Sequence, residues 1–242
     1  MTHDANEVSQ MTINLRPVLS RMRRRAFEAF KADRYSRPAL HEIDRKLEQY
    51  LGFRGGFFVE AGANDGFTQS NTYYFEKILG WSGVLVEAIP ELYQRCVKAR
   101  KQAQVYQCAL VAEALEDDTV TMEYANLMSL VKGAQKSADA DEAHLHHATT
   151  VQPDVRRYQV EVPARTLTQI LDHARVDHID LLSLDVEGYE LQALQGLDLR
   201  RYRPSYLLVE ANFRSEIDAH LDAFGYQAID ELSHHDVLYA IR

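Results

Sequence analysis

The sequence predicts an α/β protein: a mostly parallel sheet of about seven strands flanked by helices, with a helical extension ahead of it. Three observations carry this expectation. Short apolar runs, Phe57-Phe58-Val59, Val84-Leu85-Val86, Ile179 to Leu184 and Tyr206 to Val209, have the composition of strands buried on both faces. Helix-like stretches alternate with them, and that alternation calls for crossover connections and hence parallel strands. Each run is followed at once by an acid (Glu60, Glu87, Asp185, Glu210), which gathers carboxylates along the rim where the strands end.

With 242 residues, 46% hydrophobic and 26% charged, the chain has the profile of a globular protein holding one large core and an appendage. A net charge of -9 and a pI near 5.6 argue against a nucleic-acid partner. Cys96 and Cys108 fit neither a zinc site nor a disulfide framework, so buried free thiols in a reducing compartment are expected. Residues 1 to 15 hold no apolar stretch of signal-peptide or membrane-spanning length, and a cytoplasmic protein is the expectation.

The chain divides into an N-terminal helical extension, 1–51, and a single domain, 52–242. Residues 1 to about 14 read as loosely attached. From Arg16, Leu19, Met22, Ala26, Phe27 and Phe30 recur at helical spacing beside Arg21, Arg23, Arg24 and Arg25. Two readings compete: a helix packed on the domain with its arginines solvated or paired, or one that forms a dimer contact, covers the site, or meets anionic lipids or a phosphorylated substrate. After Pro38, the spacing of Leu40, Ile43, Leu47 and Leu51 predicts a second helix.

The first strand, 57–61, breaks into Glu60-Ala61-Gly62-Ala63-Asn64-Asp65-Gly66, a turn with almost no side-chain bulk. Ser70, Asn71 and Thr72 then offer N-caps for a helix to residue 79. A strand, a glycine turn and a helix start set backbone N–H groups at the carboxyl edge of the sheet, where nucleotide-like ligands bind. Glu60 and Asp65 would repel a pyrophosphate, whereas a cofactor with a cationic centre and an amino group, such as S-adenosylmethionine, suits them. Glu87, ending the next strand, has the spacing at which a carboxylate meets ribose hydroxyls, with Ala88 beside it.

A helix from Pro90 and a strand over Val105 to Ala109 continue the alternation, and a short strand follows at Val120 to Tyr124. Residues 131–157 are polar and small and read as a mobile insert over the site; its histidines 144, 146 and 147 either supply a base or a metal ligand or are simply solvated. Tyr158 to Val162 follows as ordered chain. Thr166 is a plausible N-cap. The strand ending in Asp185 runs into Val186-Glu187-Gly188-Tyr189-Glu190, a second turn into a helix, and the chain closes with a helix and a hairpin.

On Glu60-x-Gly62-Ala63-Asn64-Asp65-Gly66 with Ser70-Asn71-Thr72, on Glu87, on Thr166-Leu167, and on Asp185-Val186-Glu187-Gly188-Tyr189-Glu190, the chain resembles the FkbM family of methyltransferases from about Gly56 to Glu210. The resemblance implies the Rossmann-like class I methyltransferase fold and methyl transfer from S-adenosylmethionine to an oxygen on a sugar, glycan or small-molecule secondary metabolite. In that frame Glu60 accepts from the methionyl ammonium, the Gly62 to Gly66 turn approaches the methionine, Glu87 binds the ribose, and Cys108 and Ala109 flank adenine. An unactivated hydroxyl needs a base or a metal. Asp185 is the first candidate base, with Glu187 beside it and His144 as a third. The alternative has Asp185, Glu210 and Asn212 coordinate Mg2+, which an all-oxygen set suits. An NAD-dependent oxidoreductase, whose usual middle glycine is Asn64 here, and a catalytically inactive cofactor-binding protein are the competing classes.

Overall fold

The computed structural model describes residues 16–115, 118–151 and 157–242. The tail expected to be loosely attached over residues 1 to 14, and 152–156 of the insert, lie outside the described residues. In chain order the strands are β1 (Phe57–Ala61), β2 (Ser82–Val86), β3 (Ala103–Tyr106), β4 (Ala109–Leu110), β5 (Thr119–Tyr124), β6 (Leu130–Val131), β7 (Tyr158–Arg165), β8 (Leu181–Leu184), β9 (Tyr206–Glu210), β10 (Tyr226–Glu231) and β11 (Asp236–Ile241). The helices are α1 (Arg16–Ala29), α2 (Ile43–Leu51), α3 (Pro90–Ala99), α4 (Ala138–Val151), α5 (Leu167–Ala174), α6 (Glu190–Gln195) and α7 (Arg214–Asp222).

Seven strands form the main sheet in the order β10-β11-β9-β8-β1-β2-β3. All neighbours run parallel except β11, which is antiparallel to both β9 and β10. The hairpin loop after β10 is too short for a crossover, so β11 must return antiparallel. This is the Rossmann-like class I methyltransferase fold. Strand order reverses beside β1, and the crevice off its carboxyl end is where open α/β sheets bind ligands.

Alternation along each strand fills the two faces. Val59, Val84, Leu182 and Leu207 face the α5, α6 and α7 side with Ile170, Leu194 and Ile217. Phe58, Leu85, Leu181 and Leu208 face the other side, where Leu47 and Leu51 of α2 pack with Phe75 and Trp81. The α2 face expected from sequence is therefore in the core through Ile43, Leu47 and Leu51, while Leu40 stays half exposed. Thr166 makes a full capping box on α5: its hydroxyl accepts from the Gln169 N–H and the Gln169 side chain accepts from the Thr166 N–H.

Three features differ from the sequence reading. The strand expected from Val105 to Ala109 is two strands. β3 ends at Tyr106, and β4 joins a second sheet in the order β4-β7-β5-β6. There β7 is paired parallel to β4 and antiparallel to β5, so it ties the second sheet to the end of β3. The helix expected over 70–79 starts at Tyr73 and widens to a π-helix over Phe75–Leu79. The basic helix α1 packs with its apolar side outward. Arg24 lies over the Phe67 ring, 3.4 Å from its centroid, and Glu28 accepts from the Tyr73 hydroxyl at 2.8 Å.

Candidate active site

The chain leaves β1 through a turn that only glycine can make. Gly62 has φ +82°, and an added Cβ would lie 1.8 Å from the carbonyl oxygen of Asp185. The N–H groups of Gly62 and Ala63 donate to the Val86 carbonyl at the end of β2, each at 3.1 Å. Asp65 closes the turn by accepting from the N–H groups of Phe67 and Thr68 at 2.9 and 2.7 Å. Gly66, also left-handed, sits against Arg100 and Cys96. Ala61, Gly62 and Asn64 thus line the cleft, while Ala63, Asp65 and Gly66 shape the turn from behind.

Glu60 is nearly saturated by the chain itself. Its oxygens accept from the Ser70 hydroxyl at 2.9 Å, the Asn71 N–H at 2.7 Å and the Thr72 hydroxyl at 2.7 Å. Arg100, whose side chain is wholly buried, stands 3.4 Å from Glu60 and donates to Glu76 at 2.6 Å. It also donates to Ser70 and Thr72 at 3.0 and 2.8 Å. The free acceptor for an ammonium that the sequence suggests is therefore engaged, and Glu60 serves to gather Ser70, Asn71 and Thr72 at the helix start. Asn71 in turn donates to the Ser183 hydroxyl on β8 at 3.2 Å.

Glu87 accepts from the Asn64 N–H at 2.7 Å with one oxygen and from the Ile89 N–H at 2.8 Å with the other. Each oxygen keeps one further acceptor position. Burial pushes its carboxyl up to about 7 against the pull of those N–H groups.

Beyond β8 the backbone is strained. Glu187 is left-handed with φ +56° and Gly188 follows at +96°. The Gln135 amide donates to the Glu187 carbonyl at 2.9 Å. One oxygen of the buried Glu190 accepts from the N–H groups of Val186 and Gly188 at 2.9 and 3.0 Å. Burial in the cleft, then the charges of Glu187 and Glu190, hold the Asp185 carboxyl well above the usual carboxylate range. Asp185 is nonetheless exposed to the open cleft, so the crowding of like charges is the firmer of these causes. Glu210 is raised as well, by burial and by Asp185.

His144, from α4, places Nε2 3.3 Å from the Glu187 carboxylate, not aligned as a hydrogen bond. The Glu187 side chain, as partner and as charge, raises the His144 pKa against the effect of burial. Glu187 lines the cleft and His144 stands behind it. Asn212 is exposed and donates its amide N–H to Glu210 at 3.0 Å. Among the described residues no three His, Cys, Asp or Glu side chains converge as a metal-holding group. Asp185, Glu210 and Asn212 of the proposed Mg2+ set lie at or just past the ends of β8 and β9, where the Asn212 amide N–H is spent on Glu210.

One cleft, partly open to solvent, unites these parts. Glu60, Ser70, Asn71, Glu87, Ala88, Cys108, Ala109, Asp185 and Glu187 line it, whereas Thr72, His144, Glu210 and Asn212 do not. Sequence reasoning missed the wall opposite: Ile89 and Leu92 of the β2–α3 segment, Met122 of β5, Leu127, Val131 of β6, and Tyr189. Ile89, two residues after Glu87, was the detectable part. The rest depends on the pairing of the second sheet, which no local pattern announces.

Solved structures similar to this chain include a TehB-like S-adenosylmethionine-dependent methyltransferase from Corynebacterium glutamicum, at 12% identity and TM-score 0.43 over 93% of this chain and 100% of that one. Fibrillarin from Aeropyrum pernix, with S-adenosylmethionine bound, is similar at 14% identity and TM-score 0.43 over 82% and 76% of the two chains. A methyltransferase from Geobacter sulfurreducens in complex with S-adenosylhomocysteine is similar at 10% identity and TM-score 0.41 over 86% and 72%. Likeness at this level says nothing about the acceptor. No curated protein sequence matches the chain. The family model described as the methyltransferase FkbM domain matches residues 60–235, from the acid before the glycine turn to the hairpin of the last two strands. The chain is a methyltransferase of the FkbM family.

Proposed function

We propose that the chain transfers the methyl group of S-adenosylmethionine to a hydroxyl of a sugar, glycan or other secondary metabolite, with Asp185 accepting the proton. The observation that carries this reading is the Asp185 carboxyl opening into the same cleft as the Gly62 turn, its backbone oxygen packed against that glycine. A donor of this kind suits the residues present. The acidic rim favours a cation, the free acceptor positions of Glu87 suit ribose hydroxyls, and Cys108, Ala109, Ile89 and Leu92 make an apolar wall for a purine. When bound, that cofactor supplies an electrophilic methyl group with its leaving group attached.

The chain's own work is then to orient the acceptor and take its proton. A carboxylate whose proton affinity is raised is a stronger base once ionised, and positive charge brought into the cleft favours the ionised form. In this reading Glu187, with His144 3.3 Å from its carboxylate, holds the acceptor hydroxyl, and Tyr189 lines the same cleft.

Incubation with methyl-labelled S-adenosylmethionine and a panel of glycans and glycosylated metabolites tests this. Label should enter an acceptor, and Asp185→Asn should lower turnover by about 100-fold or more while leaving donor affinity by calorimetry within about threefold. Unchanged turnover in that variant would remove Asp185 from the role. Binding of NAD in place of S-adenosylmethionine would remove the reading as a whole.

A further inference from the structure

We propose that α1 is a docking helix for an anionic membrane surface, an inference that rests on none of the cleft chemistry. The helix is amphipathic, but its sides are reversed relative to the body. The side toward the protein is polar and aromatic: Arg24 lies over Phe67, Glu28 accepts from Tyr73 and from Ser36 at 2.8 and 2.9 Å, and Phe27 meets Tyr35 edge-on at 4.9 Å. The opposite side is apolar and faces outward. At 100° per residue, Val18, Met22, Ala26 and Ala29 fall in one arc with Leu19 at its border. All five are exposed, and Val18, Leu19 and Met22 are 53%, 61% and 63% accessible. Phe30, just past the helix end, is 86% accessible. A water-soluble chain gains nothing by presenting such a stripe to solvent.

What covers the stripe is indicated by its borders. Arg21 and Arg25 run along one edge and Arg23, over the Tyr35 ring, lies along the other; all three are exposed. Among the described residues neither Arg21 nor Arg25 makes an ion pair. Apolar residues flanked on both sides by arginines match a helix lying in the boundary between acyl chains and anionic headgroups. A second copy pairing through the same face would bring these arginine rows together and be repelled. The chain as a whole carries a net charge of -9, which opposes approach to an anionic surface and confines contact to the basic face of α1. Among the described residues no helix is long and apolar enough to cross a membrane, so α1 would lie on the surface.

Sedimentation of the full chain with vesicles of phosphatidylcholine containing about one-third phosphatidylserine, against pure phosphatidylcholine, tests the proposal. Binding is expected to the mixed vesicles and to be released by about 0.5 M salt. Leu19→Asp with Met22→Asp should abolish it. Arg21→Gln with Arg25→Gln should weaken it by about thirtyfold. Both variants change exposed positions, and an unaltered thermal melt shows that they are folded. Failure of the unaltered chain to bind mixed vesicles, or equal binding by the Leu19→Asp, Met22→Asp variant, would overturn the proposal. So would a solution dimer that this variant dissolves in the absence of vesicle binding.

Discussion

Gly62 joins two requirements at one atom: a left-handed backbone and contact with the Asp185 carbonyl. Gly62→Ala keeps neither, since its methyl would stand 1.8 Å from that oxygen. The strain of the positive φ alone is about 1–3 kcal/mol, and the clash adds to it. A chain carrying this substitution should melt well below the unaltered one and lose donor binding by calorimetry. Retention of both would mean that the turn relaxes without cost. Asn64 holds the same left-handed conformation nearby, with φ +49°, and asparagine is among the few residues that tolerate it. Glu187 does so with neither that tolerance nor a glycine's freedom, and Gln135 on its carbonyl is part of what holds it.

At the level of elements, the start of the helix after β1 is held by a buried arginine that nothing local advertises. Arg100 at the end of α3 neutralises Glu60 and Glu76 together. Arg100→Met would leave the buried Glu60 without a counter-charge and Glu76 with Lys77 alone, a loss of about 3–5 kcal/mol. Denaturant unfolding should show it, and adding Glu76→Gln should recover part. No recovery in the double variant would argue that packing over Phe58 is what matters instead. This is where the sequence was and was not legible. Apolar runs ending in acids announced β1, β2, β8 and β9, and Thr166 announced the cap of α5. Arg100 could not be found this way, because an arginine at a helix end ordinarily points into water. Nor could β4 and β6 be seen, since two residues carry no period. The outward face of α1 was hidden for another reason: amphipathic spacing does not say which side meets the body.

Across the whole molecule, several carboxyls raised by burial shape the response to pH, Glu87 and Glu190 beside Asp44, Asp185 and Glu210. Burial raises Glu87 and Glu190 each from 4.5 to about 7. Between those values the folded chain holds protons that the unfolded chain has released, so raising pH across the window favours unfolding. Their contribution is fully present below about pH 4.5 and lost as pH rises through about 7. Asp33 works in the opposite sense: it is held below 3.8 chiefly by Arg37, and its contribution is lost only in stronger acid. Melting temperature should fall from pH 5 to pH 8, and Glu87→Gln with Glu190→Gln should flatten the slope. A melting temperature that rises over the same interval would refute this assignment.

The second sheet has a consequence of its own. Its strand β7 is laced to β4 on one side and β5 on the other, so the wall carrying Met122 and Val131 is held by ladders within its own sheet, which joins the frame through the short link from β3 to β4. Residues on that wall can therefore be exchanged to welcome a bulkier or a more polar guest while Gly62, Glu87 and Arg100 stay untouched. A chain built this way can change its customers across generations and keep the same currency of exchange.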